Sequence, residues 1–237
     1  MLKAIVYDFD GTLTPDVLPK FAILEKCGLK NGTQNPLFLK RVKTAMSENG
    51  IGLVDATIEV ILNSMREAGI PLTNEQLCLG AEDRVYNPGV EDFLTKLRKS
   101  GVKNYLLSSG AKAYLEKTKV APLFDGIYAS TVNYNKNGEI TDTEYALTEP
   151  KKAVVLRKIA KLINSDPEDC SDIVYLGDGP TDLFAMEYVK THGGVTIMTY
   201  CDKLSGEFVS ENAPIDHNVT ADYRDGSELS KIINQMI

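Results

Sequence analysis

A chain of 237 residues can bury a full core, either as one large domain or as a core with a smaller companion. With 43% hydrophobic and 25% charged residues, it is excluded from wholesale disorder. The net charge of −7 and the scattered basic residues exclude the footprint of a nucleic-acid binder and disfavour anionic membranes, so an anionic substrate would need local cations.

The first element in chain order is a strand, Ala4–Tyr7, which runs directly into "DFDGTLTP". Residues i and i+2 of a strand point the same way, so Asp8 and Asp10 share a face and Phe9 takes the other. Two carboxylates that close repel, and burying them is costly unless a cation offsets the charge. An EF-hand loop does not fit, because Gly11 comes too early and the closing Glu is missing.

From Asp16 to about residue 85, helical patterns follow one another with no strand between them. Val17, Leu18, Phe21 and Leu24 form one apolar stripe, ended by Gly28. Leu37, Phe38, Val42 and Met46 form a second, which starts behind Pro36 and stops near Gly50. Val54, Ile58, Ile61, Leu62 and Met65 form a third, closed by Gly69-Ile70-Pro71. Thr73 followed by Gln76 fits a capping box for a short fourth helix. The stretch 16–85 therefore reads as a helical insert, with Pro15 marking where the chain leaves the core. Asp16 and Lys20 read as solvated.

"NPGVEDF" restarts the alternation, Pro88 being suited to a helix start. In "EDFLTKLRKSG", Phe93, Leu94 and Leu97 share a helical face that Gly101 can end. The apolar runs Val102–Leu107, Ile127–Ala129, Ile173–Leu176 and Val195–Met198 alternate with helical stretches. This predicts a parallel sheet covered on both faces, with ligands bound at the carboxyl ends of its strands. Asn137-Gly138 in "YNKNGEI" predicts a β-hairpin.

Three further stretches carry candidate chemistry. In "NYLLSSGAKAYLE" the run ends at Ser108, and Ser109-Gly110 turn into a helix, placing a hydroxyl and backbone N–H groups where a phosphate could sit. In "EPKKAVVLRKIA", Pro150 opens a helix with Lys151 and Lys152 in its first turn, where the macrodipole slightly disfavours cations and the pair reads as solvated unless an anion sits nearby. In "DIVYLGDGPTDLFAM" a strand ends at Gly177-Asp178-Gly179, with Asp182 opening the next helix; neither a dinucleotide fingerprint nor a Walker A loop fits. Several carboxylates in one pocket call for a hard divalent cation, and oxygen-only ligands suit Mg²⁺. With a hydroxyl and an ammonium opposite, the assembled site is one for phosphoryl transfer.

Cys27, Cys78, Cys170 and Cys201 are widely spaced and read as reduced thiols. No apolar run approaches the roughly 20 residues of a membrane span, and carboxylates arrive at Asp8 where a signal peptide would continue. A cytoplasmic protein is expected.

"DFDGTLT", Ser108 after an apolar strand, Lys152 opening a helix and "GDGPTD" together resemble, in order, the four motifs of the haloacid dehalogenase-like hydrolase superfamily. The resemblance spans Asp8 to Asp182 and implies an α/β fold: a Rossmann-like, doubly wound parallel sheet. It implies that Asp8 is the nucleophile that becomes an aspartyl-phosphate and Asp10 the general acid/base. Ser108, Ser109, Gly110 and Lys152 would bind the phosphoryl group. Mg²⁺ would be held by Asp8, the Asp10 backbone carbonyl and Asp178, with Asp182 supporting the cluster directly or through water. The spacing in "KKAVVLRKIA" resembles the phosphoserine-phosphatase-like branch, favouring Lys152 over Lys151. The insert at 16–85 resembles a type C1 cap over a core of 1–15 and 86–237. The implied activity is hydrolysis of a small phosphomonoester. A phosphomutase of the same superfamily and a non-enzymatic phosphate-sensing module are the alternatives. The tail "ADYRDGSEL" carries no chemical signal, and oligomeric state has none either.

Overall fold

The computed structural model describes residues 1–16, 21–200 and 213–237. Strand β1 (Ala4–Tyr7) is buried throughout, as four consecutive apolar residues require. It is the centre of a seven-stranded sheet ordered β4-β3-β2-β1-β5-β6-β7. The others are β2 (Lys103–Ala111), β3 (Gly126–Tyr134), β4 (Ile140–Tyr145), β5 (Ile173–Gly177), β6 (Val195–Tyr200) and β7 (His217–Thr220). All neighbours run parallel except β3 and β4. The chain builds outward from β1 through β2 and β3, then returns to place β5 on β1's other side. That reversal opens a crevice at the carboxyl ends of β1 and β5.

The two faces of β1 feed two cores. Ile5 and Tyr7 pack with α5 (Val90–Lys99) through Phe93, Leu94 and Leu97. Ala4 and Val6 pack with α7 (Glu149–Asn164) and α8 (Leu183–Thr191) through Leu156, Ile159, Met186 and Val189. The doubly wound α/β architecture expected from the sequence is what the chain adopts.

Between β1 and α5 lie helices α1 (Ala22–Lys26), α2 (Pro36–Asn49), α3 (Leu53–Glu67) and α4 (Asn74–Leu77), with no strand among the described residues. Asn35 caps α2 by accepting from the Leu37 N–H at 2.9 Å, and Gly50 ends it with φ 63°. Thr73 caps α4 by accepting from the Gln76 N–H at 3.4 Å. The stripe on α2 differs from expectation. Phe38, Val42 and Ala45 are buried, whereas Leu37 (49%) and Met46 (37%) are exposed. One residue along a helix turns a side chain by about 100°, enough to carry these two off the face that meets α3. Val17, Leu18 and Lys20 lie outside the described residues, as does Cys201; Cys27, Cys78 and Cys170 are free thiols.

Two other expectations are corrected. Pro88 does not open α5; the helix begins at Val90 behind Gly89, whose φ of 82° and position against Tyr223 and Arg224 leave no room for a side chain. Pro88 instead offers its carbonyl to the Tyr223 N–H at 2.8 Å. Ser109 and Gly110 do not turn into a helix either. Strand β2 continues through them to Ala111, held by pairing of Ala111 with Ser130 and by the Ser130 hydroxyl donating to the Ser109 carbonyl at 2.8 Å. Helix α6 (Lys112–Leu115) follows and is a single turn.

The hairpin at Asn137-Gly138 forms as read, joining β3 to β4, with Gly138 at φ 78°. Its arms reach the helical insert: the Ile140 N–H donates to the Leu72 carbonyl at 2.6 Å and the Tyr134 hydroxyl to Asn74 Oδ1 at 2.9 Å. Near the carboxyl end, β7 and α9 (Glu228–Asn234) complete the sheet and its cover. Among the described residues no helix is long and apolar enough to cross a membrane.

Candidate active site

Asp8 follows β1 directly, and its N–H continues the ladder by donating to the Leu176 carbonyl at 2.9 Å. Its carboxylate therefore stands in the crevice between β1 and β5, and the residue is 7% exposed. The chain then turns, with Leu13 and Thr14 N–H groups both donating to the Phe9 carbonyl. Gly11 permits this turn with φ 78°, and a Cβ there would lie 1.9 Å from Asp178 Oδ2. The sequence motif thus joins two loops: glycine at 11 lets the first loop approach the carboxylate of the second.

On the β5 side, Asp178 leaves the strand, a 3₁₀ turn spans Pro180–Asp182, and α8 begins. Asp182 is fully buried. Its Oδ1 accepts from Lys152 Nζ at 2.7 Å and from the Tyr175 hydroxyl at 2.6 Å, and its Oδ2 accepts from the Asp178 N–H at 3.1 Å. Lys152, in the first turn of α7, is also fully buried and lies 3.3 Å from Asp8 Oδ2. Lys151 points elsewhere, donating to the Ala146 carbonyl at 2.7 Å and lying over the Tyr145 ring. The geometry thus brings Lys152 rather than Lys151 to the carboxylates.

Carboxylate oxygens of Asp8, Asp178 and Asp182 lie within 4.8 Å of one another. Burial pushes the Asp178 carboxyl up to about 8, reinforced by Asp8 and Asp182. Asp8 is raised for the same first reason, with the Lys152 ammonium opposing. Burial alone would depress Lys152; the Asp182 and Asp8 carboxylates overcome it and raise its pKa. Two buried carboxylates, Asp8 and Asp182, share one ammonium, and the half-buried Asp178 adds a third acid that a divalent cation would compensate. Their all-oxygen donor set suits a hard ion. The triad could therefore hold a metal ion.

Asp10 lies beside this triad rather than in it. Its Oδ1 accepts from Arg84 Nη2 at 2.6 Å, and the Arg84 side chain is 3% exposed. Arg84 Nη1 also lies 3.4 Å from Asp16 Oδ2, so Asp16 is ion-paired rather than simply solvated. Burial pushes the Asp10 carboxyl up to about 6 against the opposing Arg84 guanidinium. Sequence reasoning missed Arg84, and also the Tyr175 hydroxyl on Asp182. It missed the buttress behind the first loop as well, where the Tyr223 hydroxyl and Asn87 Nδ2 both donate to the Thr12 carbonyl, at 3.1 and 2.7 Å. The tail that carried no chemical signal thus supports the motif loop.

Ser108 is buried, and its Oγ accepts from the Gly110 N–H at 3.0 Å. Ser108, Ser109 and Gly110 line a cavity of about 430 Å³ together with Asp8, Asp10 and Asp178. The opposite wall comes from the helical insert. The sequence-derived candidates therefore converge: six line the cavity, and Lys152 and Asp182 are buried against Asp8.

No curated protein matches the chain in sequence. Among solved structures, a substrate-bound phosphoserine phosphatase is similar with a TM-score of 0.63 at 20% identity, covering 99% of this chain and 98% of that one. Phosphoserine phosphatase from T. onnurineus is similar with a TM-score of 0.58 at 18% identity, covering 98% and 94%. Cytosolic 5'-nucleotidase IIIB bound to cytidine is similar with a TM-score of 0.62 at 14% identity, covering 99% and 86%. At these identities the likeness is one of fold. The model of the haloacid dehalogenase-like hydrolase family matches residues 5–187, a span that holds both strand-end acid pairs, Ser108 and Lys152, and the chain belongs to that family.

Proposed function

We propose that the protein is a Mg²⁺-dependent phosphatase that hydrolyses a small phosphomonoester through an aspartyl-phosphate on Asp8. The observation that carries this reading is the buried Lys152, 2.7 Å from Asp182 and 3.3 Å from Asp8, at the crevice where β1 and β5 end. Asp8 and Asp178, with the Asp10 carbonyl, would hold the cation. Both Asp182 oxygens already accept hydrogen bonds, so Asp182 acts as the anchor of Lys152 and through water. The bound cation would screen Asp8 from the phosphate and stabilise charge on its oxygens.

Asp8 attacks phosphorus as the bond to the leaving oxygen breaks. Asp10, protonated, gives its proton to that oxygen. Water then attacks the acyl-phosphate and loses a proton to Asp10, which releases inorganic phosphate and restores both carboxyl groups. Lys152 and the Ser108 hydroxyl stabilise the transferring oxygens, with Ser109 and Gly110 completing the phosphoryl pocket. The helical segment 16–85 acts as a cap over a catalytic core of 1–15 and 86–237, and limits water during the first step.

Phosphate release from p-nitrophenyl phosphate in Mg²⁺, lost in Asp8→Asn, is the expected result. Failure to release phosphate from any ester with any divalent cation overturns the reading. Undiminished turnover by Asp8→Asn overturns the assignment of the nucleophile.

A further inference from the structure

The cavity above the acidic group has two unlike ends. Its floor is charged, carrying Asp8, Asp10 and Asp178. Its roof, supplied by α2, α3 and the 3₁₀ turn Gly32–Gln34 ahead of α2, presents Phe38, Val42, Val54, Ile58 and Ile61. Among the described residues, the roof's hydroxyl side chains in the cavity wall are those of Thr33 and Thr57, and Thr57 already donates to the Leu53 carbonyl at 2.7 Å. No lysine, arginine or carboxylate of the insert's described residues lines that roof. The one acid in the wall apart from the floor group is Glu149, which comes from the core side.

We propose that the alcohol portion of the substrate is apolar: the site takes an alkyl or aryl phosphomonoester with no charge beyond its phosphate. The proposal rests on the phosphatase reading above. A phosphoryl group within reach of Asp8 leaves its ester substituent projecting toward the roof. There, an ammonium or carboxylate would lose its water with no opposite charge in the described roof to replace it, only the Thr33 and Thr57 hydroxyls. Methylenes or an aromatic ring would gain by leaving water against the same side chains. A cavity of about 430 Å³ leaves space beyond the phosphoryl group for a modest organic substituent. The similarity to phosphoserine phosphatase does not extend this far, being one of fold at 20% identity.

The test is a series of n-alkyl phosphates from ethyl to octyl, assayed on the full chain in Mg²⁺ beside phosphoserine and phosphoethanolamine. The expected kcat/KM rises about two- to fourfold per methylene until the cavity is filled. Phosphoserine should fall about 100-fold below hexyl phosphate. Val54→Asn and Leu53→Asn should flatten the series; Leu53 lines the rim and is 54% exposed, so its replacement leaves the fold intact. A flat series or a preference for phosphoserine overturns the proposal. A preference for phosphoethanolamine also overturns it, making Glu149 the anchor of a cationic substrate. Calorimetry with non-hydrolysable n-alkylphosphonates separates this inference from the one beneath it. Affinity that climbs with chain length supports the apolar roof even if no ester is turned over, in which case only the phosphatase reading falls. Turnover with no chain-length dependence in either assay removes only the apolar roof.

Discussion

Arg84 Nη2 lies 2.6 Å from Asp10 Oδ1, and the same guanidinium lies 3.4 Å from Asp16 Oδ2. Asp16 stands where the chain leaves the sheet for the helical insert, and Arg84 where it returns. One buried cation thus joins both crossings to a carboxylate of the site. Because Arg84 opposes protonation of Asp10, its removal raises the pKa of Asp10 from about 6.

In Arg84→Met, the alkaline limb of the kcat/KM profile is therefore expected to move to higher pH, since Asp10 holds its proton longer. The maximal rate is expected to fall about 10- to 100-fold, because the carboxyl loses its orienting partner. Arg84→Lys should restore part of the rate and move the limb back. A pH–rate series with p-nitrophenyl phosphate reads both effects, and an unmoved limb would separate Arg84 from the proton transfer.

Lys152 and Lys151 should behave as opposites despite being adjacent. Lys152→Met leaves Asp8 and Asp182 without their shared ammonium, and is expected to cost about 3 kcal/mol of stability as well as nearly all turnover. Lys151→Met loses a bond to one carbonyl and a contact with Tyr145, and is expected to cost about 1 kcal/mol or less with activity retained. Urea melts and phosphate release on the two variants make the comparison.

Stability without divalent cation should fall as pH rises. Burial holds the Asp178 carboxyl up to about 8 in the folded chain, against an ordinary value of 3.8. The folded state therefore binds the proton more tightly than the unfolded one. That contribution is complete below pH 3.8 and is lost as pH climbs through about 8. In chelator, Tm is expected to be lower at pH 8 than at pH 5. Mg²⁺ should raise Tm more at pH 8, where it no longer has to displace the proton. Melts at the two pH values, with and without Mg²⁺, test the sign.

Gly11→Ala is expected to destabilise the chain by about 2–3 kcal/mol, through its positive φ and the collision with Asp178. Displacing that carboxylate should also abolish the Mg²⁺-dependent rise in Tm. A variant that melted lower yet kept its full response to Mg²⁺ would place Asp178 outside the cation site.

The acid pairs, Ser108 and Lys152 were readable from sequence because each sits within a few residues of an apolar strand or a helix start. Their convergence then follows from parallel topology. Arg84 was not readable, since "GAEDRVYNPG" has no period and an arginine there resembles any surface cation; only the return of the chain beside Asp10 buries it. Tyr175 reads as an ordinary strand residue, its hydroxyl partner lying seven positions on across a turn. The extension of β2 through Ser108–Ala111 runs against the turn preference of Ser-Ser-Gly. Pairing with β3 overrides it. Strand β7 has four residues, of which Val219 alone is buried, too little apolar pattern to announce itself.

The β3–β4 hairpin does more than end the sheet. Ile140 bonds to Leu72, Tyr134 to Asn74, and Arg66 Nη2 lies 3.4 Å from the Thr141 carbonyl. An insert joined to its base by two linkers alone could swing as a free flap. This one is stitched to the outermost strand as well, so displacing α3 and α4 must carry the hairpin along or exchange these bonds for water. The same stitching occupies backbone groups of an edge strand that would otherwise template pairing with another chain.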